Sequence, residues 1–182
     1  FGKVGFAISP QQPDVVYATI ELAHKKGGFY RSENGGESWK KRNDYLSGGT
    51  GPHYYQEIFA DPHTFDRIYQ MDVRLHVTHD GGTTFVTMAS ETKHVDHHAL
   101  AFHPTDADYL LVGNDGGVYE SLDLGTTWRY MANMPISQFY KVAVDYDLPF
   151  YNVYGGTQDN SSLGGPHRTD NNVGIRNSDW YL

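Results

Sequence analysis

Ser32-Glu33-Asn34-Gly35-Gly36-Glu37-Ser38-Trp39, Thr78-His79-Asp80-Gly81-Gly82-Thr83-Thr84-Phe85 and Ser121-Leu122-Asp123-Leu124-Gly125-Thr126-Thr127-Trp128 repeat one pattern: hydroxyl, any residue, Asp or Asn, any, Gly, any, hydroxyl, aromatic. The copies begin at positions 32, 78 and 121, so they lie 46 and 43 residues apart. A period of about 40 to 45 residues is the length of one four-stranded blade of a β-propeller, and a repeat of that length confines a chain to folds that place one supersecondary unit after another.

Each residue type in the pattern has a structural task. The Asp or Asn side chain folds onto backbone N–H groups of its own turn, Gly supplies a positive φ, and the aromatic fills space between strands. Ser32, Asn34, Gly36 and Trp39, then Thr78, Asp80, Gly82 and Phe85, then Ser121, Asp123, Gly125 and Trp128, are therefore read as hairpin staples. A carboxylate committed to its own turn is a poor acid or base.

A second repeat, offset from the first, completes the unit. Phe6-Ala7-Ile8-Ser9-Pro10, Ile58-Phe59-Ala60-Asp61-Pro62, Leu100-Ala101-Phe102-His103-Pro104 and Val142-Ala143-Val144-Asp145-Tyr146 are short apolar runs that end in turn residues. In the first three copies the turn leads to an Asp and another apolar run: Asp14-Val15-Val16-Tyr17, Asp66-Arg67-Ile68-Tyr69 and Asp108-Tyr109-Leu110-Leu111. The expected order is strand, Pro/Asp turn, strand, Gly-bearing turn, strand, staple, strand. The expected fold is all-β, a propeller segment of about four antiparallel four-stranded blades covering residues 2–40, 54–90, 94–131 and 138–181 as one domain. The fourth blade is irregular, because Arg168-Thr169-Asp170-Asn171-Asn172 lacks the Gly and the aromatic of a staple. A ring needs more than four blades, so further blades of the same chain, or a second copy, are expected to close it.

Composition narrows the partners. With 20 Gly, 14 Tyr and 9 Phe against 4 Met, the chain favours turns and pleated surfaces, as in an extracytoplasmic β protein. A net charge of −8 opposes sequence-independent binding of nucleic acid, which rests on neutralising phosphates. With no cysteine there is neither a disulfide nor a thiolate metal site, and no apolar run reaches the ~20 residues of a membrane-spanning helix.

Topology places the staples and Pro/Asp turns at one end of each blade. The turns between second and third strands, and the blade-to-blade connections, gather at the other, where a ligand site is expected. Asp72, Asp115 and Asp159 occupy matching turns there and are the candidate catalytic carboxylates, since glycoside hydrolysis uses two such groups at separations of roughly 5 to 9.5 Å. His53, Tyr54, Arg74, Asp96, His97, His98, Asn114, Gln158 and Asn160 are the candidate ligand-binding residues. The run His94-Val95-Asp96-His97-His98 carries three imidazoles and a carboxylate, suited to a divalent metal, a proton relay or bracing of the channel wall. No ligand spacing in it is diagnostic, so neither a metal nor a cofactor is assigned. Strand alternation would set His94, Asp96 and His98 on one side and His97 on the other. Tyr54, Tyr55, Tyr140 and Trp180 offer flat faces to a sugar ring.

The order strand, Pro/Asp turn, Gly-turn and Ser-x-Asp-x-Gly-x-Thr-Trp resembles the Asp-box propellers: the sortilin-type domain and the xyloglucan-hydrolysing glycosidases. Gly113-Asn114-Asp115-Gly116-Gly117 and Gly155-Gly156-Thr157-Gln158-Asp159-Asn160 look like segments of large secreted bacterial proteins of that superfamily. The resemblance implies a secreted or periplasmic glycan-binding propeller with glycoside hydrolysis as an added activity, or a non-catalytic module for a protein or peptide. An arginine triad of sialidase type is not supported, because Arg74 alone is well placed in a blade-top turn.

Overall fold

The computed structural model of the chain describes residues 2–23, 26–44, 55–134, 138–157 and 161–182. Two compact units are present, Phe1–Ala132 and Asn133–Leu182.

The first unit holds three antiparallel four-stranded sheets, each in sequential order. Sheet one is β1 (Val4–Ile8), β2 (Val16–Ile20), β3 (Gly28–Ser32) and β4 (Lys40–Asn43). Sheet two is β5 (Ile58–Ala60), β6 (Ile68–Gln70), β7 (His76–Thr78) and β8 (Val86–Thr87); sheet three is β9 (His97–Phe102), β10 (Leu110–Asn114), β11 (Gly117–Ser121) and β12 (Arg129–Tyr130). The register of one sheet is repeated in the next: Ile8 faces Val16, Ala60 faces Ile68, and Phe102 faces Leu110.

Side-chain chemistry within each staple sets these hairpins. Asp80 Oδ1 accepts the N–H groups of Thr83 and Thr84, both at 2.9 Å, and Asp123 Oδ1 accepts the N–H of Thr127 at 2.8 Å. Asn34 Oδ1 takes the N–H of Ser38 at 2.9 Å in the same way. The leading hydroxyl of each copy accepts the Gly N–H four residues on, at 2.9, 2.9 and 2.7 Å. Those glycines, Gly36, Gly82 and Gly125, have φ of 91°, 91° and 81°, a conformation that a Cβ disfavours. Each staple then docks on the Pro/Asp turn of its own sheet through a backbone bond: Gly35 to Asp14, Gly81 to Asp66 and Leu124 to Asp108, at 2.8, 3.0 and 2.8 Å. Both turn types thus share one end of each sheet, the staple end, and leave the opposite loop end for the other connections.

Alternation gives every sheet a leading and a trailing face, and the faces pack in series. Val15, Tyr17 and Phe29 of sheet one enclose a core with Ile58 and Ile68 of sheet two. Tyr69, Met71, Leu75 and Val77, from the other face of sheet two, do the same with Leu100, Leu110, Val112 and Trp128 of sheet three. Each such buried side chain contributes about 1.5 to 3 kcal/mol of transfer free energy, so the sheets depend on their neighbours.

The second unit is a three-stranded sheet of β13 (Phe139–Val144), β14 (Asn152–Thr157) and β15 (Ser162–Pro166). Where a fourth strand is expected there is a single bridge between Gly164 and Tyr181. Residues 168–172 form no staple among the described residues. Asp145, in the β13–β14 turn, instead accepts the N–H and Nδ2 of Asn152 and the hydroxyl of Tyr154. The backbone and side-chain bonds from Asn152, with that from Tyr154, hold the Asp145 carboxyl well below the usual carboxylate range.

Candidate binding site at the loop end of sheets two and three

The β6–β7 turn, the β8–β9 connection and the β10–β11 turn meet at the loop end. Backbone bonds clamp them together. Asp96 N–H and His97 N–H donate to the carbonyls of Val73 and Asp72 at 2.9 and 3.0 Å, and Asp115 N–H donates to the Asp96 carbonyl at 3.2 Å. Asn114 ties the same loops, its Nδ2 donating to His94 O at 2.9 Å while its Oδ1 accepts Gly116 N–H at 3.0 Å.

This clamp brings together Asp72, Arg74, Asp96, His97, His98, Asn114 and Asp115 of the candidate set. Arg74 is exposed in the same turn as the buried Asp72, whose Oδ1 accepts the Val73 N–H at 2.7 Å. His53, Tyr54, Gln158, Asp159 and Asn160 lie outside the described residues, so the site is built from the second and third sheets alone.

A second layer of contacts runs through Tyr55. Its hydroxyl donates to Asp96 Oδ1 at 2.5 Å, and its ring lies parallel to that of His98, with centroids 5.4 Å apart and planes 11° from parallel. His98 Nε2 is 3.6 Å from Asp115 Oδ1. The imidazole is 44% exposed while Tyr55 beneath it is 3% exposed, so His98 is the member of the stack that faces solvent. Asp96, with φ 62°, sits in the left-handed region just before β9 begins. Alternation therefore holds for buried His97 and exposed His98 but does not extend back to His94, whose Nδ1 is 3.0 Å from the Val95 carbonyl oxygen.

Below the surface layer the site is buried and polar. His97 is 0% exposed, and its Nδ1 lies 3.3 and 3.2 Å from the carbonyl oxygens of Asp72 and Val73. Carbonyls only accept, so Nδ1 carries the proton and Nε2 is a bare lone pair with no partner among the described residues. Burial, reinforced by the Lys93 ammonium, pushes the His97 imidazole down to about 4, so it is neutral at physiological pH. Lys93 itself is 6% exposed, its Nζ without a hydrogen-bond partner among the described residues and 5.2 Å from the centre of the Trp128 ring. Burial lowers its ammonium to about 8. Among the described residues, fully buried Gln70 has no partner for either amide atom, and fully buried Gln56 has none for Nε2 while its Oε1 accepts the Thr19 hydroxyl at 2.7 Å.

Sequence reasoning did not single out Lys93, Gln56 or Gln70. A usable signal existed for Gln70: register equates it with Ala18 of sheet one and Val112 of sheet three, so it is a polar residue in an apolar column. Among the described residues, no group of three or more His, Asp and Glu side chains is arranged to hold a metal ion. A cavity of about 510 Å³ lies at the staple end, bordered by Gln12, Asp14, Arg31, Glu33 and Phe65, away from this chemistry. Its Arg31 is engaged with Glu33 and Asp66.

Comparison with known proteins agrees with this architecture. The model of the family described as "Sortilin, neurotensin receptor 3" matches residues 27–162, well over half of the chain. No curated protein matches. Among solved structures, a GH74 enzyme of Niastella koreensis superposes with a TM-score of 0.60 at 13% identity, covering 97% of this chain and 29% of that one. The GH74 xyloglucanase of Xanthomonas campestris gives 0.53 at 20% identity, covering 88% and 28%; YCF48 of Cyanidioschyzon merolae gives 0.50 at 14%, covering 92% and 56%. The chain thus spans less than a third of either GH74 protein, and these likenesses concern the fold.

Proposed function

The chain belongs to the sortilin family of Asp-box propellers, and on that premise we propose that it is a non-catalytic recognition module that holds a peptide at the loop end of its second and third sheets. The observation that carries this reading is the engagement of the loop-end carboxylates among the described residues. A glycosidase needs two carboxyl groups facing each other across the bond, one protonated and one ionised. Here Asp96 accepts the Tyr55 hydroxyl, Asp115 pairs with His98, and Asp72 is buried with its own turn's N–H on Oδ1. Each braces the surface instead of facing a bond. Exposed Arg74 and the His98 imidazole add donors of the kind that fix a peptide's carbonyl and carboxylate groups. A family member's description as a neurotensin receptor supports a peptide as the ligand class. A secreted or periplasmic address goes with this reading.

One observation favours glycan binding as a second reading: the exposed His98 ring, backed by the parallel ring of buried Tyr55, is a flat π surface against which a sugar ring can lie. Binding of the immobilised chain to a peptide array and a glycan array separates the two. Peptide retention lost in Tyr55→Ala and His98→Ala is the expected result, and retention of glycans alone would install the second reading. Release of reducing sugar from xyloglucan, β-glucan or sialosides, abolished by Asp115→Asn, would overturn the non-catalytic assignment.

A further inference from the structure

We propose that Asn34 is a latent deamidation site: the folded staple of sheet one holds it closed, and when that staple opens Asn34 converts to the aspartate that the other two staples already carry. Residue types set the chemistry. Asn34-Gly35 is the only Asn-Gly pair in the chain. With no Cβ on the residue that follows, the Gly35 nitrogen reaches the Asn34 side chain with least steric hindrance. That nitrogen gives up its proton and bonds to Cγ, Nδ2 leaves as ammonia, and water then opens the five-membered imide to aspartate or to isoaspartate. Both residues are exposed, so water is at hand and conformation alone holds the reaction back.

The staple restrains both reacting groups. Gly35 N–H is donated to the Asp14 carbonyl at 2.8 Å. The Asn34 amide is held at each end: Oδ1 accepts the Ser38 N–H and the Ser32 hydroxyl, both at 2.9 Å, and Nδ2 donates to Ser38 Oγ at 3.0 Å. Attack needs these bonds broken together, so its rate follows the fraction of time the staple is open. The aspartate product fits the closed staple. At Asp80 and Asp123 a carboxylate Oδ1 accepts the matching N–H and hydroxyl groups, and Oδ2 takes the Thr84 and Thr127 hydroxyls at 2.8 and 2.7 Å. Ser38 occupies the position of Thr84 and Thr127, so its hydroxyl serves Oδ2 once ammonia has left, in a bond that the charge strengthens. Isoaspartate instead adds a methylene to the backbone and breaks the spacing on which these bonds depend.

Trypsin releases Asn34 in the peptide Ser32–Lys40, where it is the only amide side chain, so the mass of that peptide reports the exchange of amide for acid. The folded chain and the same chain in denaturant are held at mildly alkaline pH and digested at intervals. Conversion should be slower by about tenfold or more in the folded chain. Ser38→Ala should speed it there and leave it unchanged in denaturant, and Asn34→Asp should melt no lower than wild type at neutral pH. Equal rates in the folded and denatured chains, or a folded Ser38→Ala chain as slow as wild type, would overturn the restraint. A lower melting temperature for Asn34→Asp would overturn the fit of the product.

Discussion

Replacing Lys93 with Met should stabilise the protein at neutral pH, and the gain should vanish in alkali. Lys93 is 6% exposed, and its ammonium has no hydrogen-bond partner among the described residues and sits over the Trp128 ring at the junction of sheets two and three. Burial lowers it to about 8 from an ordinary 10.5. At 1.36 kcal/mol per pH unit, that difference means a protonated Lys93 costs the folded state about 3 kcal/mol at pH 7. Because the folded value is the lower one, wild-type stability from this group rises between about pH 8 and 10.5 as the folded amine loses its proton first. Met keeps the unbranched length and removes the charge, but it forfeits a cation–π contact of about 0.5 to 1 kcal/mol, leaving a net gain of about 2 kcal/mol at pH 7. Chemical denaturation of both proteins at pH 7 and pH 10.5 reads this directly. Burial, then the Asp66 and Asp61 carboxylates, raise the Tyr17 and Tyr69 phenols, and any phenol titration common to both proteins cancels in the difference. A Met variant less stable than wild type at pH 7 would refute the reasoning, since it would show the ammonium to be a favourable partner of something.

Three further outcomes are expected. Asp80→Ala should lower stability by about 1 to 2 kcal/mol by stripping Thr83 and Thr84 of their acceptor, and should leave ligand retention at the loop end unchanged; calorimetry and the peptide array check the two halves. Partial burial works against the Asp80 charge, but bonds from Thr84, Thr78 and Thr83 outweigh it and hold the carboxyl at about 2, so its stabilisation is complete above about pH 4 and disappears as pH falls through 2, an acid limb that Asp80→Asn should flatten in a pH titration of the melting temperature. Gly5→Ala should destabilise by more than about 2 kcal/mol, because a Cβ there would lie 1.5 Å from the Gln56 carbonyl oxygen, and a denaturation midpoint equal to wild type would show that β1 and the strand entering sheet two do not meet so closely.

What the chain declares by itself is local. The staples are legible because their bonds span two to four residues, Ser121 to Asp123 and Asp123 to Thr127 being typical, so residue types at fixed spacing determine the turn before any sheet exists. Sheet order follows from those turns, since a short hairpin pairs each strand with the next. Among the described residues of the second unit the staple chemistry is missing, and there the fourth strand shrinks to the Gly164–Tyr181 bridge. Tertiary structure decides the rest. Tyr55 is 41 residues from the Asp96 it bonds, and His97 is 25 residues from the Asp72 carbonyl that orients it. Whether a carboxylate is free or engaged, and whether Lys93 keeps its hydration, depends on how one sheet seats on its neighbour. Two sheets of similar sequence can therefore carry Phe6 in solvent and Leu100 in a core, because burial is a property of the pair of faces and not of the strand.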